Sequence, residues 1–195
     1  MADQPIINIL GELVALGPLD RTLLPTYQRW MSQFDMLRTL DFPPQPLTLE
    51  AETAWFEATA RSTSEMYFTI YERDGWRPIG NLDLRAIDFR NRSAEFGITI
   101  GEADCRGKGY GTEATRLTLD YAFTALGLHS VMLAVFAYNP GAIRAYEKAG
   151  FREIGRRREA KWMGGRLWDI IYMDCLATEF ESPVLSKIFA PDEPR

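Results

Sequence analysis

The segment from Arg106 to Thr112, with the sequence Arg-Gly-Lys-Gly-Tyr-Gly-Thr, combines residue types that can bind an anion. It follows a predicted strand and opens a predicted helix. Glycines let a ligand approach the backbone closely, and the unpaired amides at the start of a helix attract negative charge. Arg106 and Lys108 add positive charge. The segment therefore predicts a site for a phosphate or diphosphate, although a glycine-rich turn that only starts a helix explains it equally well.

Two common phosphate-binding motifs do not fit this segment. A P-loop requires Gly-Lys followed by Ser or Thr, whereas Lys108 is followed by Gly109. A dinucleotide-binding fold requires the spacing GxGxxG, whereas the glycines here are spaced GxGxG and the preceding strands look antiparallel. We therefore expect a phosphorylated cofactor of another kind.

Hydrophobic spacing predicts the elements that position this segment. Alternation of apolar and polar residues predicts an antiparallel meander over residues 66–73, 78–88 and 93–101, with Leu82, Leu84 and Ala86 on one face of the middle strand. Further strands are expected over residues 12–16, 131–137, 151–163 and 166–176, and helices over residues 18–31, 47–61, 112–126 and 139–149. This order predicts a mixed sheet with helices in one domain, residues 1–180, followed by a loosely docked tail, residues 181–195.

Two of the predicted helices carry clear boundary signals. Thr48 is expected to cap the helix over residues 47–61. In the helix over residues 139–149, Asn139 suits the N-cap, Pro140 the first turn and Gly150 the C′ position.

Composition and charge restrict the class of protein. The chain has 195 residues, 46% hydrophobic and 25% charged, with a formal net charge of −5. Such an acidic, ordinary globular composition disfavours nucleic acid as a partner and suits a cationic substrate such as an amine. No secretion signal, membrane span, disulfide framework or metal-ligand spacing is evident, so we expect a cytoplasmic protein without metal.

Two longer stretches resemble a known family. IGEADCRGKGYGTEATRLTLDYAF and FAYNPGAIRAYEKAGFREIG closely resemble the GNAT superfamily of acetyl-CoA-dependent N-acetyltransferases. NRSAEFGITI and MGGRLWDIIYM add a likeness to its ribosomal-protein N-terminal and spermidine acetyltransferase branch. The resemblance implies an α/β (α+β) fold with a mostly antiparallel sheet of about seven strands, splayed between the fourth and fifth. It also implies acetyl-CoA as co-substrate and suggests a homodimer.

The resemblance assigns expected roles to particular residues. Amides of the segment would grip the diphosphate of coenzyme A, which agrees with the anion argument; the segment comprises Arg106, Gly107, Lys108, Gly109, Tyr110, Gly111 and Thr112. Backbone from Ile98 to Ile100 would pair with the pantetheine arm and hold the acetyl carbonyl. Asn139 and Ala142 would lie against the pantetheine region, and Tyr146 near the thioester sulfur.

Acetyl transfer to an amine needs a proton donor and a proton acceptor. Tyr146 can donate a proton to the departing thiolate, and the resemblance favours this role over packing of its ring on Ile143 as core. Glu95 is the first candidate for the base, acting directly or through water, because it shares a strand face with Thr99. An ion pair of Glu95 with Arg92 or Arg85 is an equal alternative.

The acceptor is expected to be a primary amine, either a protein N-terminal α-amine or a small polyamine. It would meet the N-terminal helices and a group of acidic residues, Asp35, Asp83, Glu95 and Asp169. Two alternatives stay open: an amine antibiotic as acceptor, and a non-catalytic acyl-CoA-binding sensor. His129, Cys105, Cys175 and the run from Arg156 to Arg158 are expected to be structural or solvated.

Overall fold

The structure, a computed structural model that describes residues 4–192, contains one eight-stranded sheet with helices on both faces. The strands are β1 (Ile9–Leu10), β2 (Val14–Pro18), β3 (Met66–Glu72), β4 (Pro78–Asp88), β5 (Ser93–Ile100), β6 (Ser130–Phe136), β7 (Arg152–Met163) and β8 (Arg166–Leu176). The helices are α1 (Leu24–Met31), α2 (Phe34–Leu37), α3 (Leu49–Thr59), α4 (Tyr110–Asp120), α5 (Pro140–Ala149) and α6 (Leu185–Ile188).

The strand order is β1-β2-β3-β4-β5-β6-β8-β7, and every neighbouring pair is antiparallel except β5 with β6. The predicted mixed, mostly antiparallel sheet is therefore confirmed. The short edge strand β1 was not anticipated, and it raises the strand count to eight. For that reason the splay lies between the fifth and sixth strands of this numbering.

Strands β5 and β6 pair over a short stretch only. Ser93, Ala94 and Glu95 lie opposite residues 130–132 of β6, and no pairing continues beyond them. From Phe96 to Ile100, β5 keeps its partner β4 on one edge, while its other edge has no strand partner within the described chain. The sheet thus opens into a gap between β5 and β6.

Opposite faces of the sheet are covered by different helices. Leu82, Leu84 and Phe96 are buried in the main core, which includes Leu117 of α4. On the other face, α1 and α3 form a second apolar cluster around Tyr27 and Trp30. The polar residues that alternate with Leu82 and Leu84 on β4 therefore lie beneath α1 and α3.

The prediction of which residues share one face of β4 was wrong at the end of the strand. Ala86 was expected beside Leu82 and Leu84, but it is exposed and has a φ of 49°, while the following residue Ile87 is buried. The register of β4 against β5 shifts between Arg85 and Asp88, because a bulge inserts an extra residue and reverses the alternation.

The helix boundary signals are confirmed. The side chain of Thr48 accepts a hydrogen bond from the Ala51 amide, and Asn139 caps α5 in the same way. Gly150 has a φ of 116°, a left-handed conformation that glycine adopts without steric penalty. The helix expected over residues 18–31 begins only at Leu24, after a 3-10 turn.

The C-terminal segment is packed more tightly than the sequence suggested. The buried carboxylate of Asp120 accepts hydrogen bonds from Ser182 Oγ at 2.5 Å and from the amides of Val184 and Leu185 at 2.9 and 2.8 Å. Leu185 is buried in the main core. The expectation of a loose tail is thus wrong for this part of the segment, and residues 193–195 lie outside the described residues.

Candidate functional site

The glycine loop, defined as Arg106 to Thr112, lies between β5 and α4 and includes the first three residues of α4, and its residues before α4 are exposed to solvent. Gly107 and Gly109 have φ values of 75° and 92°, which side-chain-bearing residues rarely adopt. Gly109 is the N-cap of α4. Among residues 4–192, no hydrogen-bond acceptor engages the amides from Gly107 to Thr112. These free amides, at the positive end of a helix dipole, suit an anionic group.

Side chains beneath the loop hold it in place. The Tyr110 hydroxyl donates to Glu72 Oε1 at 2.6 Å, which holds its partly buried ring against β3. Arg77 donates to Asp104 at 2.7 Å and to the buried Cys105 sulfur at 2.9 Å. Cys105 is therefore part of the support of the loop, as a structural residue.

A second anchor was not predicted from the sequence. Glu113, in the first turn of α4, accepts hydrogen bonds at 2.7–2.8 Å from the amides of Glu12, Leu13 and Val14. This contact fixes the start of α4 against the turn between β1 and β2. An acidic residue in a first helical turn is common, so the sequence contained no sign of this partner.

Arg106 connects the loop to its neighbours. Its Nε donates to the Ile100 carbonyl at 3.2 Å, and its Nη1 lies 3.4 Å from Asp35 on α2. Asp35, which was expected to contact the acceptor amine, is thus paired with Arg106. Lys108 is exposed.

Tyr146 of α5 lies beside Phe96, the first residue of β5 beyond its pairing with β6. Its half-buried ring packs edge-on against Phe96, with 6.2 Å between the ring centroids, and against Phe151. Burial raises the pKa of Tyr146 to about 12, the Asp83 charge raises it further, and Arg85 opposes this change. The phenol therefore stays protonated at neutral pH. Its ring also contributes to the core with Ile143, so the packing and the chemical interpretations are compatible.

Other predicted contacts of the gap lie along its two walls. Ile98 and Ile100, on the unpaired stretch of β5, are partly buried against the main core. On the opposite wall, Asn139 follows β6, and its Oδ1 accepts the Ala142 amide at 3.3 Å. Their contact with a ligand stays a prediction.

Two carboxylates meet at Arg85 on the sheet face beneath α1 and α3, which we name the acceptor face because the sequence predicted that an amine acceptor meets these residues. Asp83 of β4 and Glu95 of β5 both approach Arg85, at 3.4 and 3.5 Å. Glu95 is 49% exposed and lies where β5 still pairs with β6, whereas Asp83 is only 13% exposed. Burial raises the pKa of Asp83 to about 6, and the pull of Arg85 only partly offsets this. The ion pair with Arg85 that the sequence allowed for Glu95 is present.

Two residues beside Asp83 were not predicted from the sequence as site residues. Asn81 shares its strand face, and Gly97 is its register partner on β5. The alternation Asn-Leu-Asp-Leu on β4 was a usable signal for Asn81. The importance of Gly97 depends on cross-strand pairing, which the sequence did not specify.

The remaining predicted residues lie away from this pair. Asp169 accepts the Glu159 amide at 3.0 Å within the β7–β8 hairpin. In the N-terminal helices that were expected to meet the acceptor, α1 buries Trp30, whose indole N–H donates to Glu102 at 2.8 Å, and α2 leaves Phe34 60% exposed. No helix among residues 4–192 has the length and apolar character needed to cross a membrane. Nor do three His, Cys, Asp or Glu side chains in that range converge to hold a metal ion.

Comparison with known proteins agrees with this architecture. A family model described as an acetyltransferase (GNAT) domain matches residues 14–152. Spermidine N(1)-acetyltransferase of Vibrio cholerae is 38% identical over 102 residues, which cover 52% of this chain and 58% of that protein. Its Escherichia coli K12 counterpart is 31% identical over 160 residues, 82% of this chain and 84% of that protein. A crystal structure of the V. cholerae enzyme with CoA and spermine has a TM-score of 0.80 at 27% identity, covering 87% of this chain and 98% of that one.

Proposed function

Because the chain belongs to the GNAT acetyltransferase family, we propose that it transfers an acetyl group directly from acetyl-CoA to a primary amine of a small polyamine. The observation that carries this proposal is the gap between β5 and β6. The glycine loop, with its unpaired amides, follows the open stretch of β5, and Tyr146 packs against Phe96 where that stretch begins. A diphosphate on the glycine loop would direct the rest of acetyl-CoA along the unpaired edge of β5 toward Tyr146.

The proposed chemistry divides between backbone and side chain. In this proposal, amides of the glycine loop hold the diphosphate, and an amide of the stretch from Ile98 to Ile100 stabilises charge on the acetyl oxygen. Tyr146 gives its proton to the departing sulfur. A free thiol has a reference pKa of about 8.5, well below the raised pKa of this phenol, so proton transfer from the phenol to the departing sulfur is unfavourable by itself. The phenolate would therefore take up a proton from the new amide nitrogen in the same step.

A polyamine is favoured over other amines for two reasons. The chain is acidic overall, and its acceptor face contains two carboxylates, Asp83 and Glu95, beside one arginine. Relatives that align with the chain act on spermidine according to their names. A second positive charge on the acceptor would be attracted by the same field. Cytoplasmic location, self-association and the absence of nucleic-acid or membrane partners remain predictions from the sequence.

The test is an acceptor panel with acetyl-CoA, in which free thiol is titrated and products are identified by mass. The panel contains a triamine, a monoamine of the same length, a peptide with a free N-terminal serine, and an aminoglycoside. We expect the triamine to give the highest kcat/KM, at least about tenfold above the monoamine, because the second charge adds binding energy. Higher turnover of the peptide or the aminoglycoside would overturn the polyamine assignment, and acetyl-CoA binding without thiol release would favour the sensor.

A further inference from the structure

Two polar side chains on β4 face the acceptor side with almost no protein partners. Asn81 and Asp83 are two residues apart on one strand and therefore share a face. Their register partners on β3 are Thr69 and Tyr67, which Tyr27 of α1 and Trp55 of α3 contact from above. The pair thus lies on the floor of the space between the sheet and the two N-terminal helices.

The amide oxygen of Asn81 is buried and has no hydrogen-bond partner among the described residues. Nearly all buried polar atoms in proteins are paired, because an unpaired one loses its hydration without compensation. Its surroundings on the sheet are the polar residues Thr69 and Thr99, its neighbours in register. An acceptor left without a donor on this face suits a ligand that brings N–H groups.

The carboxylate of Asp83 is in a similar position. Its one described hydrogen bond is the long 3.4 Å contact with Arg85 Nη1, and no backbone amide donates to it. The absence of a side chain at Gly97 makes room for it: a Cβ there would lie 2.7 Å from Asp83 Oδ1. Five charged or titratable groups face the Asp83 carboxylate: Arg85 on β4, Glu95 on β5, Glu65 just before β3, Tyr67 on β3 and Tyr146 on α5.

Asp83 is better placed than Glu95 relative to the gap. Glu95 is half exposed and lies at the last paired position between β5 and β6. Gly97, opposite Asp83, lies two residues further, where β5 has separated from β6. Tyr146 packs against Phe96, which precedes Gly97 on β5 at the point where pairing with β6 has ended. Asp83 and Tyr146 therefore approach the open part of β5 together.

We propose that Asn81 and Asp83 form the ammonium subsite: Asp83, rather than Glu95, takes the proton from the acceptor amine, while the Asn81 oxygen accepts another N–H of the same nitrogen. This inference rests on the proposed acetyl transfer. It assigns the proton acceptor of that reaction to a residue on β4, and it identifies an N–H of the substrate amine as the donor to the Asn81 oxygen.

The proton balance closes with two side chains. The substrate ammonium gives one proton to the Asp83 carboxylate, and the neutral nitrogen then forms a bond to the acetyl carbon. As the carbon–sulfur bond breaks, sulfur takes the Tyr146 proton, and the nitrogen returns a proton to the phenolate oxygen. Asp83 finally releases its proton to water, so one ammonium and one thioester give one amide, one thiol and one proton.

The pH dependence follows from the state of Asp83. A carboxylate accepts a proton only when ionised, and burial raises its pKa to about 6. In the wild type, kcat/KM for the amine should rise to a plateau above that pH. Without Asp83, only the small neutral fraction of an amine of pKa about 10 can react, so kcat/KM should keep rising about tenfold per pH unit up to pH 9.

The test compares Asp83→Asn with Glu95→Gln on the full chain. Each variant removes one carboxylate partner of Arg85 with almost no change in size. We expect Asp83→Asn to lower kcat/KM for the amine by at least about 100-fold at pH 7 and to abolish the plateau. Glu95→Gln should keep the plateau and its inflection. Acetyl-CoA affinity and the melting temperature serve as checks that both variants are folded.

Each outcome decides the proposal. A plateau that survives in Asp83→Asn, or disappears in Glu95→Gln, would overturn it. Wild-type protein that acetylates no amine would instead contradict the proposed function. For Asn81→Ala, we expect a several-fold higher KM for the amine with an unchanged melting temperature, since its oxygen bonds nothing in the described chain. A loss of stability with an unchanged KM would assign Asn81 a structural role.

Discussion

The glycine loop and the ammonium subsite belong to one proposed active site but are built in different ways. The loop is a contiguous segment whose backbone amides are its functional groups, and its glycines, helix start and charges are all adjacent in sequence. The subsite consists of side chains, and it exists because β5 places Gly97 opposite Asp83. A contiguous backbone site is therefore recognisable in a sequence, whereas a cross-strand side-chain site depends on register.

This difference predicts that variants of each region change separate kinetic parameters. Changes in the glycine loop should affect acetyl-CoA, changes around Asp83 should affect the amine, and only a residue that serves both substrates should affect kcat with both KM values kept.

Tyr146→Phe should give the largest effect. Removing the hydroxyl that protonates the sulfur should lower kcat by at least about 100-fold, with little change in either KM. Stability should be nearly unchanged, because the ring contacts with Phe96 and Phe151 remain. Steady-state kinetics with both substrates varied checks this, and an unchanged kcat would remove Tyr146 from the mechanism.

Glu52→Gln should change stability rather than catalysis. Glu52 on α3 is 5% exposed, and burial raises its pKa from 4.5 to about 7. A raised carboxyl pKa means that the folded state holds the proton more tightly, so this contribution to stability is complete below pH 4.5 and is lost as pH rises through 7. The variant should therefore be more stable than the wild type at pH 8, by up to about 3 kcal/mol.

Denaturant unfolding at pH 5 and pH 8 measures the Glu52 effect. Glu50→Gln, an exposed position on the same helix, is the matched control and should leave the pH dependence unchanged. An equal pH dependence in Glu52→Gln and the wild type would contradict the prediction.

Gly97→Ala should impair the use of the amine selectively. The new Cβ would lie 2.7 Å from Asp83 Oδ1 and 3.2 Å from Arg85 Nη1, so the carboxylate must move. We expect about a tenfold loss in kcat/KM for the amine with unchanged acetyl-CoA affinity. Gly155→Ala is the control, because a Cβ at that strand position meets nothing within 4 Å. Equal losses for the two variants would indicate a general effect of alanine on the sheet.

Gly109→Ala should give the smallest effect, confined to acetyl-CoA. The left-handed φ of 92° disfavours a side chain by about 1–2 kcal/mol, so the N-cap of α4 should rearrange and its amides lose alignment. A several-fold higher KM for acetyl-CoA is expected. Gly165→Ala has a similar φ of 80° in the β7–β8 hairpin, and it should lose comparable stability without changing that KM.

Much of the fold could be predicted from local patterns. The alternating runs gave β4 and β8 their observed bounds, and Thr48, Asn139 and Gly150 marked helix ends correctly. The errors arose where tertiary contacts override local preference. The bulge at Ala86 reverses a regular alternation.

For the site, the sequence alone determined the glycine loop, the position of Tyr146 two turns into a capped helix, and the family to which both belong. These features are encoded within a few neighbouring residues, where backbone geometry is local. Tertiary structure alone decided which carboxylate is buried near Tyr146, because desolvation depends on strands and helices far apart in sequence. Asp83 and Glu95 are similar acids on adjacent strands, and only the opening of the sheet beyond Glu95 distinguishes them.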